Sequence, residues 1–207
     1  MENIKTLERI KRPWVVAHRG YRGLYPENTL VAFEAAIGVS ADMIELDVSL
    51  TRDRIPVVIH DNTLDRTTNG SGRVSEHTLA ELKELDAGSW FSTKFSREEI
   101  PTLEELLMSV KGRITVNIEI KQESFESPAI PDGIESQICE LVEKLEMGDS
   151  VLISSFKHSF FARIQRWYRN QGKSTLPKIA PLQEAPLSEE FALGLCSRQG
   201  VYSFHPN

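Results

Sequence analysis

A chain of 207 residues with 40% hydrophobic and 26% charged side chains has the makeup of a soluble globular protein and no signature of disorder. Its net charge of −6 argues against nucleic acid as a general partner, and no run reaches the ~18 consecutive apolar residues of a membrane span. The charged amino terminus, MENIKTLERIKRPW, lacks the apolar segment of a secretory signal, so the expected location is cytoplasmic.

In chain order, the apolar run WVVAH predicts a buried strand that ends in His18, Arg19 and Gly20. Asn28-Thr29 reads as a helix start ahead of LVAFEAAIGV. MIELDVSL and IPVVIHD read as two strands joined by TRDR, a link too short for a crossover helix, so the pair is expected to form a hairpin-like excursion. Residues 62–100 are polar but carry Trp90, Phe91 and Phe95, which predicts an inserted subdomain rather than a linker. The helix TLEELLMSVKG, opened by Pro101-Thr102, is followed by strand ITVNIEIK, helix GIESQICELVEKL, strand VLISSF and helix HSFFARIQRWYRN. A strand PKIAPL, a helix SEEFALGLCSRQ and a strand-like VYSFHP close the chain. Alternating strands and helices predict an α/β fold with a largely parallel sheet. Six main strands end near His18, Asp47, Lys121, Phe156, Leu182 and His205, whereas a (β/α)8 barrel has eight.

Side chains alternate faces along a strand, so Glu45 and Asp47 share one face of MIELDVSL. Asn117, Glu119 and Lys121 likewise share a face of ITVNIEIK. His18, Asp47 and Lys121 fall at the carboxyl ends of their strands, His60 ends its own apolar run in the same way, and that end of a parallel barrel carries the active site. Clustered carboxylates repel one another unless a cation sits among them, and an oxygen-only donor set suits Mg²⁺ or Ca²⁺ better than zinc. Arg19 and Lys121 would supply positive charge to a phosphate, and two imidazoles would supply a proton acceptor and a proton donor. Taken singly, each residue has an ordinary explanation: a structural histidine, a solvated acidic face, a cross-strand ion pair. Taken as a set, they fit metal-assisted cleavage of a phosphodiester. Cys139 reads as an inert core thiol, Cys196 has no metal-ligand spacing to it, and His77, His158 and His205 read as structural.

The stretch AHRGYRGLYPENTLVAFEAAIGVSADMIELDVSLTRDRIPVVIHDNTLDRTTNGSGRV, with LDAGSWF, IPTLEELL and NIEIK after it, resembles the glycerophosphodiester phosphodiesterase family. The resemblance implies a TIM-type (β/α)8 barrel with a small insertion after the second strand, matching 62–100. It implies hydrolysis of small glycerophosphodiesters to sn-glycerol 3-phosphate and an alcohol. His18 and His60 would be the acid/base pair, with neither assigned to one role. Glu45, Asp47 and Glu119 would bind one divalent cation, and Arg19 and Lys121 the phosphate. The family's WTVN-like strand and its final GVDGIITD-like strand have no counterpart here, so a barrel lacking its last two βα units is expected. Two alternatives accompany this reading. One is a lysophospholipase D type activity with an apolar entrance from Trp90, Phe91 and Phe156, and the other a non-catalytic glycerophosphodiester binder.

Overall fold

Alternation of aliphatic and polar residues builds the sheet, and the helices cover only its aliphatic face. The structure, a computed structural model, describes residues 13–173, 176–183 and 205–206. In chain order it runs β1 (Val16–His18), α1 (Leu30–Gly38), β2 (Met43–Leu50), β3 (Pro56–Val58), α2 (Leu79–Lys83), α3 (Leu103–Val110) and β4 (Thr115–Ile120). It continues with α4 (Ile134–Lys144), β5 (Val151–Ser155), α5 (Ser159–Asn170), β6 (Lys178–Gln183) and β7 (His205–Pro206). The strands β1-β2-β4-β5-β6-β7 lie side by side and parallel, with β3 antiparallel to β2. The expected helix in SEEFALGLCSRQ, Cys196 within it and residues 201–204 of the last strand lie outside the described residues.

Ile44, Leu46 and Val48 of β2, Val116, Ile118 and Ile120 of β4, and Ile153 of β5 point outward, into one core with Phe33, Leu103, Leu106, Leu107, Ile138, Phe160, Phe161 and Ile164 of the helices. Each such fully buried side chain contributes roughly 1.5–3 kcal/mol, so this outer layer supplies the stability that lets the other face carry polar groups. Cys139 sits in this core, where burial raises its thiol pKa and keeps it protonated. His77 and His158 each place a ring nitrogen 2.9 Å from a backbone carbonyl oxygen, of Arg73 and of Leu182 respectively, which accounts for them structurally.

The inner face is different. At its lower end Met43, Leu152 and Ala180 pack together with Trp14. Above them the register sets His18 beside Glu45, Glu45 beside Asn117, Asp47 beside Glu119, and Glu119 beside Ser154. The chain between β3 and α3 has a core of its own, in which Ile59, Leu64, Val74, Leu82, Ala87 and Ile100 pack with Val57 of β3. Tyr25 packs against Phe95 in a tilted pair at 5.4 Å between centroids, and Phe95 meets Phe91 edge-on at 5.9 Å, which ties this segment to the loop after β1.

Helix α3 begins with a reciprocal cap that holds the end of this segment. Thr102 Oγ1 accepts from the Glu105 backbone N–H at 3.1 Å, and Glu105 Oε2 accepts from the Thr102 N–H at 2.8 Å. Thr102→Ala is expected to cost about 1 kcal/mol. For a chain of this size that corresponds to a thermal midpoint lowered by about 2–4 °C, measurable by circular dichroism.

Candidate active site at the carboxyl ends of the strands

The loop after β1 turns sharply because two successive residues, Arg19 (φ 59°) and Gly20 (φ 78°), take left-handed backbone conformations. A Cβ on Gly20 would lie 2.8 Å from Ala32 of α1, so only glycine fits that turn. The Arg19 N–H is shared between the Glu45 carbonyl (3.0 Å) and Glu45 Oε2 (2.9 Å). Asn28 (φ 57°) is also left-handed, its N–H donates to the Arg19 carbonyl at 3.1 Å, and its Nδ2 donates to Asp47 Oδ2 at 3.0 Å. Sequence reading took Asn28-Thr29 as a helix start. Thr29 does occupy that position, although its hydroxyl donates to the Pro26 carbonyl instead of capping the helix, and Asn28 belongs to the site.

Oxygen atoms of Glu45, Asp47 and Glu119 lie within 4.8 Å of one another, and Asp47 is only 1% exposed. Two cations face them. Arg19 Nε makes an ionic contact with Asp47 Oδ2 at 3.4 Å, and Lys121 Nζ lies 3.6 Å from Asp47 Oδ1 and 3.3 Å from Glu119 Oε1. Burial, followed by the charges of Asp47 and Glu119, pushes the Glu45 carboxyl well above its ordinary pKa. Burial and the charge of Asp47 likewise raise Glu119. Glu45 Oε1, Asn28 Oδ1, Asn117 Oδ1 and Ser154 Oγ are buried without a protein hydrogen-bond partner. A cluster of oxygen donors under mutual repulsion, with unpaired buried oxygens around it, fits a hard divalent cation.

The two histidines reach this cluster by different routes. His18 Nε2 lies 3.7 Å from Glu45 Oε2, and burial together with Arg19 and Arg22 lowers the imidazole pKa. His60 lies on the returning arm of the expected hairpin, not on a main parallel strand. It follows β3, which runs back along β2 with Val58 opposite Val48, and the Ile59 N–H donates to the Asp47 carbonyl at 3.0 Å. The hairpin expected from the short TRDR link therefore returns the chain to the level of Asp47. His60 Nδ1 is 2.6 Å from Asp61 Oδ1. Arg66, with burial opposing it, holds the Asp61 pKa down at about 2, so Asp61 is ionised and only accepts. The proton of that bond therefore sits on Nδ1, and Nε2 lies outside it.

Sequence reasoning missed the groups behind these residues. Arg66 donates to Asp61 through Nε at 2.6 Å and to Glu27 through Nη2 at 2.7 Å, and Glu27 Oε1 accepts from Arg19 Nη1 at 3.1 Å. Glu27 and Asn28 lie in PENT and Arg66 in LDRTT, stretches that carried the family resemblance without roles attached to them. All seven residues singled out from sequence (His18, Arg19, Glu45, Asp47, His60, Glu119 and Lys121) thus gather at one end of the sheet.

A parallel βα sheet with an acidic cluster and paired imidazoles at its carboxyl end is the arrangement of TIM-like barrel enzymes. The glycerophosphoryl diester phosphodiesterase family matches residues 18–197, and the chain belongs to this family. It is 42% identical over 193 residues to the glycerophosphodiester phosphodiesterase of Caldanaerobacter subterraneus subsp. tengcongensis, covering 93% of this chain and 74% of that one. It is 44% identical over 155 residues to Bacillus subtilis YhdW, covering 75% of this chain but only 62% of that protein. Among solved structures it is similar to an Oleispira antarctica phosphodiesterase in complex with the product sn-glycerol-3-phosphate, with a TM-score of 0.80 and 31% identity. That likeness covers 94% of this chain and 74% of the other.

The electrostatics predict an inverted pH response of stability. Glu45 and Glu119 have folded-state pKa values above the ordinary 4.5, so above pH 4.5 the folded chain holds protons that the unfolded chain releases. Their ionisation therefore costs stability as pH rises through the raised values. In chelator at pH 7, Glu45→Gln is expected to be more stable than the unmodified protein, seen as a higher thermal midpoint. The difference should vanish on acidification towards pH 4.5, which thermal melts across that range would check.

Proposed function

We propose that the chain is a metal-dependent glycerophosphodiester phosphodiesterase, hydrolysing small glycerophosphodiesters to sn-glycerol 3-phosphate and an alcohol. The observation that carries this reading is the convergence of three carboxylates, two fixed cations and two imidazoles at one end of the sheet. The Oleispira antarctica relative, solved with sn-glycerol-3-phosphate, supports a glycerol phosphate as the product held by such a site. We read the sheet as the part of a TIM-type (β/α)8 barrel that carries the site, with 62–100 as an insertion within a single domain.

In this reading Glu45, Asp47 and Glu119 hold one divalent cation, Mg²⁺ or Ca²⁺, which supplies Lewis-acid polarisation of a phosphoryl oxygen. Charge balance favours that assignment. Three carboxylates against Arg19 and Lys121 leave one negative charge in excess, and a divalent cation turns it into one positive charge. A phosphodiester carries one negative charge, so the loaded site complements its substrate. Arg19, anchored by Glu27 and Asp47, and Lys121, anchored by Asp47 and Glu119, orient the phosphate from two sides. His18 and His60 are the acid/base pair. With its pKa lowered, His18 is neutral near pH 7 and takes a proton from the attacking hydroxyl. His60, with Nδ1–H held by the ionised Asp61, acts as the acid in its imidazolium form, passing its Nε2 proton to the departing alkoxide oxygen and becoming the neutral Nδ1–H imidazole.

Glycerophosphocholine is expected to be hydrolysed with release of sn-glycerol 3-phosphate, abolished by chelator and restored by Mg²⁺ or Ca²⁺. His18→Ala and His60→Ala should each lower kcat by about 10²–10⁴-fold. Turnover indifferent to chelator, or to both substitutions, would refute the mechanism.

Arg66 is a positioning residue, since its guanidinium bridges the carboxylates that orient His60 and Arg19. Arg66→Ala should lower kcat by about 10–100-fold through misplacement of those groups. Arg66→Lys, lacking the planar fork, should recover little of it. Full activity in Arg66→Lys would show that charge alone suffices.

A further inference from the structure

Beyond the carboxylate cluster, the inner face of β2 runs on into a cavity of about 240 Å³. Ser49 lines it and lies two residues past Asp47 on the same face, about 7 Å further along the strand. The other walls are continuations of site-bearing segments. Asn62 follows the His60-Asp61 pair, and Glu123 and Ser124 follow Lys121. The segment before α2 closes the cavity with Arg73 and Ser75. Three segments that place Asp47, His60 and Lys121 thus each supply, within three residues, a polar side chain to the same cavity.

Two arginines at the cavity are already engaged. Arg54 pairs with Glu126 at 2.8 Å, and Arg52 donates to the Glu76 carbonyl at 3.1 Å. The Thr51 hydroxyl at the cavity donates to Asp53 Oδ1 at 2.6 Å, which leaves the guanidinium of Arg73, the hydroxyls of Ser49, Ser75 and Ser124 and the amide of Asn62, together with the Glu123 carboxylate. Among the described residues no aromatic ring lines the cavity, so they give it no cation–π surface for a quaternary ammonium group. Its size exceeds what three carbons and their hydroxyls fill, which matches the variable arm of a diester better than the constant glycerol.

We propose that this cavity is the subsite for the leaving alcohol, and that it selects polyhydroxylated alcohols, such as a cyclitol or a second glycerol, over choline. The proposal rests on the phosphodiesterase reading above. Hydrogen bonds from the hydroxyls of Ser49, Ser75 and Ser124 and from the amide of Asn62, with Arg73 donating to ring or chain oxygens, would hold such an alcohol. Choline would leave these donors unpaired.

The test uses the full chain with two diesters, glycerophosphoinositol and glycerophosphocholine, in saturating Mg²⁺. The expected kcat/KM is at least tenfold higher for glycerophosphoinositol. Arg73→Ala and Ser124→Ala combined should remove most of that preference while leaving glycerophosphocholine within about twofold. Arg73 is exposed, and its strand-like contact with Thr63 and bond to His77 run through the backbone, so its truncation leaves the fold intact. Equal kcat/KM for the two diesters, an unchanged preference in the double variant, or an equal loss on both substrates would each overturn the proposal. The last result would assign the cavity to the glycerol shared by both. Calorimetric binding of the two uncleaved diesters to His18→Ala separates this proposal from the reading beneath it. Preferential binding of glycerophosphoinositol without turnover by the unmodified protein would keep the subsite and refute the phosphodiesterase, while binding without preference would overturn the subsite.

Discussion

Mutual repulsion of three carboxylates on the inner face of a parallel sheet is the constraint around which the loops of this protein are arranged. In-register pairing of β2 with β4 forces Asp47 and Glu119 side by side, and neither can turn away without entering the aliphatic layer beneath the helices. Left to itself such a cluster holds its protons more tightly than free carboxyls do, as the raised Glu45 and Glu119 carboxyls indicate. Arg19 and Lys121 offset part of the charge, and a bound cation would offset the rest. The electrostatics of the site therefore work against folding, and the outer core offsets them.

Holding Arg19 in place requires an unusual loop. Two consecutive left-handed residues bend the chain after β1, and the second must be glycine because α1 passes within contact of its α-carbon. A third left-handed residue, Asn28, closes the same loop by bonding back to Arg19 and across to Asp47. Each such residue other than glycine costs roughly 1–2 kcal/mol. Backbone strain collected within one loop, beside buried charge, is the pattern of a structure organised around ligand binding rather than around its own stability.

The second arm of the site depends on the segment between β3 and α3. Antiparallel β3 carries His60 back to the level of Asp47, and Arg66 locks Asp61 against Glu27 of the first loop. The charge network thereby joins two loops that approach from opposite ends of a 39-residue separation. The same segment brings Arg73 and Ser75 over the inner face of β2, so one excursion from the sheet both orients an imidazole and walls the cavity beyond it.

Much of this was legible from local pattern. Alternation in MIELDVSL and ITVNIEIK put Glu45 with Asp47 and Asn117 with Glu119, because a strand's side-chain period of two is a property of the backbone alone. The hairpin at TRDR and the cap at Thr102 followed from chain length and residue chemistry in the same way. What local pattern could not supply was register and contact between distant segments. Asn28 looked like a helix start because its sequence context is that of a cap, and only the approach of β2 gives its amide a carboxylate to bind. Glu27 and Arg66, 39 residues apart, show no local pattern that pairs them, and folding sets them 2.7 Å apart. Sequence by itself determined which residues share a face of each strand. Tertiary structure decided which faces meet, because pairing between segments far apart in the chain is set by how the whole sheet and its loops pack.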